Sequence, residues 1–159
     1  MERIAIFPGS FDPFTRGHAA MVEQALSLFD RVVVAVGRNS EKRGMLSLDA
    51  RCALIEDLYA DNERVEVDSY SGLTVDYAHS RGAVAMIRGV RSTIDLEYER
   101  SLAAVNARLS EEIVTLLLPA PALMGDISSS VVRELYSYGH SIEEFMPQGV
   151  DIEKYINKI

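Results

Sequence analysis

A chain of 159 residues and 17.6 kDa is long enough for one compact domain and too short for two ordinary ones, and its 48% hydrophobic content can build a substantial core. Sixteen Lys plus Arg against 24 Asp plus Glu leave a formal charge of −8, which argues against a protein that coats DNA, RNA or an anionic membrane surface. The single cysteine, Cys52, excludes an internal disulfide and a multi-cysteine zinc site and fits a reduced, cytoplasmic setting, while no apolar run reaches the roughly 18 residues of a membrane span.

No repeat, low-complexity tract or linker divides the sequence, so residues 1–159 read as one domain. Arg3 to Phe7 reads as a first, buried strand. A Gly/Pro-rich turn leads to a helix with Met21, Ala25 and Leu28 in one stripe and Val22, Leu26 and Phe29 alongside. Arg31 to Val36 is the second strand, and Ser47 N-caps a helix through Leu54, Ile55 and Leu58. Then come a strand at Arg64 to Val67, a helix at Leu73 to Ser80, a strand at Ala83 to Ile87, a helix at Ile94 to Leu109 and a strand at Ile113 to Leu118. Ser129 to Tyr138 reads as a helix with Gly139 as its C-cap, and Val150 to Ile159 as a helix that docks on the domain or on a neighbouring subunit. Strand and helix alternating five times predict an α/β fold with a doubly wound, five-stranded parallel sheet and C-terminal helices. Ligands in such sheets sit at the carboxyl ends of the strands, where strand order switches.

Four polar clusters fall just past predicted strands. Pro8 to His18 follows the first strand and opens the first helix, where free N–H groups and the helix dipole favour an anion and His18 can donate to a phosphate oxygen; the alternative is a tight loop with a surface histidine. Arg88 and Arg91, separated by Gly89, suit a polyphosphate, or else pair with Asp95, Glu97 or Glu99 as surface salt bridges. Ser128, Ser129 and Ser130 offer a second anion cradle or ordinary N-capping, and Lys42 is a cleft cation or a solvated loop charge. Convergence of all four on one sheet edge favours a phosphate-handling cleft over independent coincidence. The surplus acid lies downstream: residues 1–51 hold seven basic and six acidic side chains, so a local cationic cleft is compatible with an acidic whole.

Gly9-Ser-Phe-Asp-Pro-Phe-Thr-Arg-Gly-His18 resembles the GxFDPxTxGH form of the T/HxGH signature of the nucleotidylyltransferase superfamily, and Ile127-Ser-Ser-Ser130 resembles its ISSS element. With Lys42, Met45 to Arg51, Ile87 to Arg91 and Glu97 to Glu99 falling in order, the whole chain is similar to the bacterial phosphopantetheine adenylyltransferases. The resemblance implies a Rossmann-like nucleotidylyltransferase fold, Mg²⁺, a homohexamer and adenylyl transfer from ATP to 4′-phosphopantetheine, with coenzyme A as a feedback ligand. By position it implies His18, Lys42 and Arg91 as catalytic donors, and Ser10, Lys42, Thr74 and Arg88 against the acceptor. Against ATP it implies Ser10, Phe11, His18, Gly89, Val90, Arg91, Glu99 and the run Met124, Gly125, Asp126, Ile127, Ser128, Ser129, Ser130. The phosphate acceptor is already a nucleophile at neutral pH, so orientation and charge stabilisation suffice.

Met124-Gly125-Asp126 departs from the aromatic-Ser-aromatic stretch usual in the family, and Asp126 opposes a nucleotide unless it faces away or meets a cation. The rival acceptor is another phosphorylated molecule such as nicotinate mononucleotide, whose enzymes typically carry His at the position of Thr15. Non-catalytic nucleotide sensing and a purely structural role leave the clustered cations unexplained. His79 and His140 have no companions that suggest metal binding or catalysis, and Cys52 reads as core.

Overall fold

The computed structural model describes residues 1–38 and 44–156. Five parallel strands form one sheet in the order β3-β2-β1-β4-β5, from β1 (Ile4–Gly9), β2 (Arg31–Gly37), β3 (Val65–Tyr70), β4 (Ala85–Val90) and β5 (Val114–Pro119). The chain winds outward from β1 to β3, returns to β4 beside β1, and winds outward again, so the topological switch lies between β1 and β4. Period-two alternation divides the strand residues between two faces. Ala5, Phe7, Val32, Val34, Val36, Ala85 and Ile87 point into the larger core, and Ile6, Val33, Ala35 and Met86 into the smaller one.

Helices α1 (Arg16–Leu28), α2 (Leu48–Leu58) and α5 (Ser129–Ser137) cover the larger core through Val22, Leu54 and Val132. Helix α3 (Thr74–Ser80) covers the smaller one with Val75 and Ala78. Helix α4 (Thr93–Leu109) buries only Glu99 and leaves Ile94, Tyr98, Val105 and Leu109 exposed.

Every expected strand and helix is found in the expected order, with shifts; β4, expected at Ala83 to Ile87, starts at Ala85 and runs on to Val90, so Arg88 lies within the strand and not just past it. Leu28 is 48% exposed whereas Phe29 is buried, because at 100° per residue Leu28 lies at the margin of the stripe centred on Met21, Val22, Ala25 and Phe29. β3 runs on through Asp68 and Ser69 to Tyr70, since this edge strand stabilises its polar residues sideways: Arg81 pairs with both Glu66 and Asp68, and the Tyr77 hydroxyl donates to Asp68 (2.7 Å). Of the expected helix at Val150 to Ile159, the described residues form α6 (Glu153–Ile156), which docks on its own domain, and residues 157–159 lie outside them. Ile152 and Tyr155 enter the larger core, and the Tyr155 hydroxyl donates to Asp57 of α2 (2.7 Å). Gly139 takes φ +75° after α5, the left-handed cap conformation. No helix among the described residues is long and apolar enough to cross a membrane.

Candidate active site

Three segments meet at the carboxyl side of the β1/β4 switch: the β1–α1 loop, the end of β4, and the start of α5. Together they line one cleft. The β1–α1 loop is braced on all sides. Phe11 sits at φ +50°, a left-handed conformation unfavourable for an aromatic residue, and its buried ring packs edge-on against Phe7 (5.1 Å) and His18 (5.0 Å). Gly9 is required there, because a Cβ would lie 2.8 Å from the Phe11 ring. The buried Asp12 carboxylate accepts from the N–H groups of Met45 (2.9 Å) and Leu46 (2.8 Å), which ties the entry to α2 onto this loop. From the other side the Ser129 hydroxyl donates to the Pro13 carbonyl (2.8 Å), and Arg133 donates to the Asp12 carbonyl (2.8 Å).

Thr15 caps α1 in a reciprocal box with His18: the His18 N–H donates to Thr15 Oγ1 (3.4 Å), and the Thr15 N–H donates to His18 Nδ1 (3.0 Å). Because Nδ1 accepts, the ring proton sits on Nε2. Burial among Phe7, Phe11 and Phe14, followed by the charges of Arg91 and then Arg88, lowers the His18 pKa from 6.5 to about 4. His18 is therefore a neutral Nε2–H donor at physiological pH, and any charge in its hydrogen bond to a phosphate comes from the acceptor.

The two readings of the arginines are both realised. Arg88 Nε and Nη2 grip the Glu99 carboxylate (2.9 and 2.8 Å), and Nη1 donates to the Pro8 carbonyl (3.1 Å). Arg91 pairs with Asp95 (3.3 Å) and donates to the Ile127 carbonyl (3.3 Å). Both still line the cleft with Gly89 and Val90. Glu99, expected at the nucleotide, commits both oxygens to Arg88, so its direct role is to orient that guanidinium.

The serines divide their work. Ser128 is the N-cap, accepting from the Val131 N–H (3.2 Å), Ser129 ties the loop, and Ser130 Oγ accepts from Arg133 (3.2 Å). Met124 and Ile127 line the cleft; Gly125 and Asp126 are exposed and do not. Ser10 lines the cleft and an adjoining recess formed by the ends of β1, β2 and β3. Thr74 lies outside the main cleft, in a recess with Leu73, Leu102 and Asn106 that shares Arg88 and Glu99 with it, and its hydroxyl is 2.7 Å from that of Tyr70. Lys42 lies outside the described residues.

Sequence reasoning missed Asp12 and Arg133. Arg133 had a legible signal: it stands three residues after Ser130, one turn along α5 on the same face. Among the described residues it is the arginine of the cleft without a carboxylate partner. Cys52 is partly buried on α2, and burial raises its thiol pKa, which fits an inert core position.

Residues 6–135 match the cytidylyltransferase-like family. The chain is 48% identical over 148 residues to the phosphopantetheine adenylyltransferase of Porphyromonas gingivalis, covering 93% of this chain and 96% of that one. It is 42% identical over 151 residues to that of Phocaeicola vulgatus, covering 95% and 99%. A solved bifunctional NMN adenylyltransferase/ADP ribose pyrophosphatase from Francisella tularensis superposes with a TM-score of 0.71 at 16% identity, over 92% of this chain and 45% of that longer one, a likeness of fold. Sheet order, cleft and relatives converge, and the chain belongs to the cytidylyltransferase-like family, among the phosphopantetheine adenylyltransferases.

Proposed function

We propose that this enzyme transfers the adenylyl group of ATP to 4′-phosphopantetheine, giving dephospho-coenzyme A and pyrophosphate. The observation that carries the reading is the position of Arg88, on the shared wall of the nucleotide cleft and the Leu73–Thr74–Leu102–Asn106 recess. A phosphate held there presents one oxygen to the α-phosphate of ATP while its organic arm lies in the recess. The attacking oxygen forms a bond to the α-phosphorus as the bond to the β-bridging oxygen breaks, and pyrophosphate leaves with that electron pair. No protein nucleophile is needed.

In this reading His18 Nε2–H and Arg91 stabilise charge growing on the α-phosphate and leaving group, with the amino ends of α1 and α5 adding their dipoles. Arg88 and Lys42 hold the acceptor phosphate, Thr74 faces the pantetheine arm, and Arg133 adds a cation at the nucleotide end. Mg²⁺ enters as the ATP complex. Both Asp12 oxygens already accept backbone N–H groups, Asp95 and Glu99 hold arginines, and the described residues include no cluster of three His, Cys, Asp or Glu that would cage a metal. The apolar face of α4 is assigned to contacts between copies in a homohexamer, coenzyme A is assigned as a product-like feedback ligand, and the setting is cytoplasmic.

The test is to mix the protein, MgATP and 4′-phosphopantetheine and follow both products. Equal yields of pyrophosphate and dephospho-coenzyme A are expected. Turnover with nicotinate mononucleotide and none with 4′-phosphopantetheine would transfer the assignment to another acceptor.

A further inference from the structure

We infer that Arg51 is a positioning residue for the reacting phosphate: it holds the Ser10–Phe11 peptide in the orientation that turns the Phe11 N–H towards the cleft as an anion donor. The inference rests on the adenylyl-transfer reading of the cleft and assigns a role to a residue outside it.

Arg51 stands in the first turns of α2, four residues after the N-cap Ser47. A cation there opposes the helix dipole, so the residue does not serve the helix. Nor does it serve an ion pair, for among the described residues it has no carboxylate partner and its buried Nε has no hydrogen-bond acceptor. What its guanidinium does is draw two strand-end carbonyls towards α2, those of Ser10 (2.6 Å) and, more weakly, Gly37 (3.5 Å).

The peptide between Ser10 and Phe11 is trans, so pulling the Ser10 carbonyl towards α2 points the Phe11 N–H the opposite way. No protein acceptor among the described residues takes that N–H, although Phe11 is only 3% exposed and lines the cleft. The backbone conformation explains why a tether is needed. Phe11 holds φ +50°, and turning this one peptide over would carry it to about −130°, out of the positive-φ region that an aromatic residue avoids. The flipped peptide would aim a carbonyl oxygen, in place of an N–H, at an anion. Arg51 opposes that flip from outside the cleft, where its charge cannot compete for the substrate.

The experiment uses the full chain labelled with ¹⁵N-phenylalanine and titrated with pyrophosphate alone. In the wild type the Phe11 amide proton is expected to move downfield as the anion binds; in Arg51→Met it stays in place, and kcat with MgATP and 4′-phosphopantetheine falls by about 10²-fold, the scale of one lost oxyanion donor. Arg51→Lys, whose ammonium can still reach the Ser10 carbonyl, is expected to restore the amide response, and it carries the test if R51M does not fold. A Phe11 amide that is silent in the wild type, equally responsive in R51M, or silent in folded R51K would overturn the inference. Absence of turnover in the wild type would instead sink the functional reading, and the amide titration would still decide the role of Arg51.

Discussion

The proton state of His18 can be tested through stability as well as rate. In the unfolded chain its imidazole titrates at 6.5, and in the fold at about 4, chiefly because it is buried and secondly because Arg91 and Arg88 stand nearby. A lowered folded value means that acid favours the unfolded chain. The contribution is fully present above pH 6.5, declines as pH falls below it, and is lost by the time pH passes through about 4. Each tenfold difference in proton affinity is worth about 1.36 kcal/mol, so at pH 4.5 the group costs about 2.5 kcal/mol relative to pH 7.5. Urea unfolding of the wild type and of His18→Gln at both pH values, at one fixed protein concentration, isolates the group by double difference. The stability of the wild type relative to H18Q should fall by about 2.5 kcal/mol between the two conditions. A difference under about 0.5 kcal/mol, or an imidazole resonance of His18 titrating near its ordinary value, would refute the argument that burial keeps this ring neutral.

His18→Ala should lower kcat by roughly 10²–10³-fold, with a smaller effect on the KM for ATP, in steady-state assays of pyrophosphate release. Gly9→Ala, whose Cβ would meet the Phe11 ring at 2.8 Å, should destabilise by about 1–3 kcal/mol in chemical denaturation, because the buried ring has no room to retreat. Glu99→Gln leaves the Arg88 guanidinium facing one acceptor and one donor; KM for 4′-phosphopantetheine should rise several-fold while KM for ATP changes little, as initial-rate kinetics with each substrate varied would report. Arg133→Met should show the reverse pattern, weakening ATP use about tenfold, on the scale of one charge-assisted hydrogen bond.

Much of this was legible from residue order because period and position are local properties. The unbroken apolar run Val32 to Val36, the cap at Ser47 and the Gly139 stop needed no partner to be read. The convergence of His18, Arg88, Arg91 and the serines also followed, since a parallel sheet places every strand end on one edge. Pairing was legible only as a choice, with Asp95, Glu97 and Glu99 all open as partners of Arg88 and Arg91. That Glu99 grips Arg88 depends on one turn of α4 facing β4, and the Asp12 link to Met45 and Leu46 spans more than thirty residues. β3 was read short because its polar residues are matched by Arg31 and Arg81, distant in sequence. The neutrality of His18 was hidden for the same reason: three phenylalanines from two elements surround it.

The junction at Arg88 bears on the order of events in turnover. Each substrate alone loses its rigid-body freedom on entering one side of that guanidinium, whereas a molecule joined across it loses that freedom once for both sides. The product is such a molecule, so it is held more tightly than either half. Once pyrophosphate has left the nucleotide end, the joined product still holds both sides of Arg88, and its departure becomes the natural slow step. The recess beside Thr74 would thus act as an exit brake on the enzyme as well as a ruler for its acceptor.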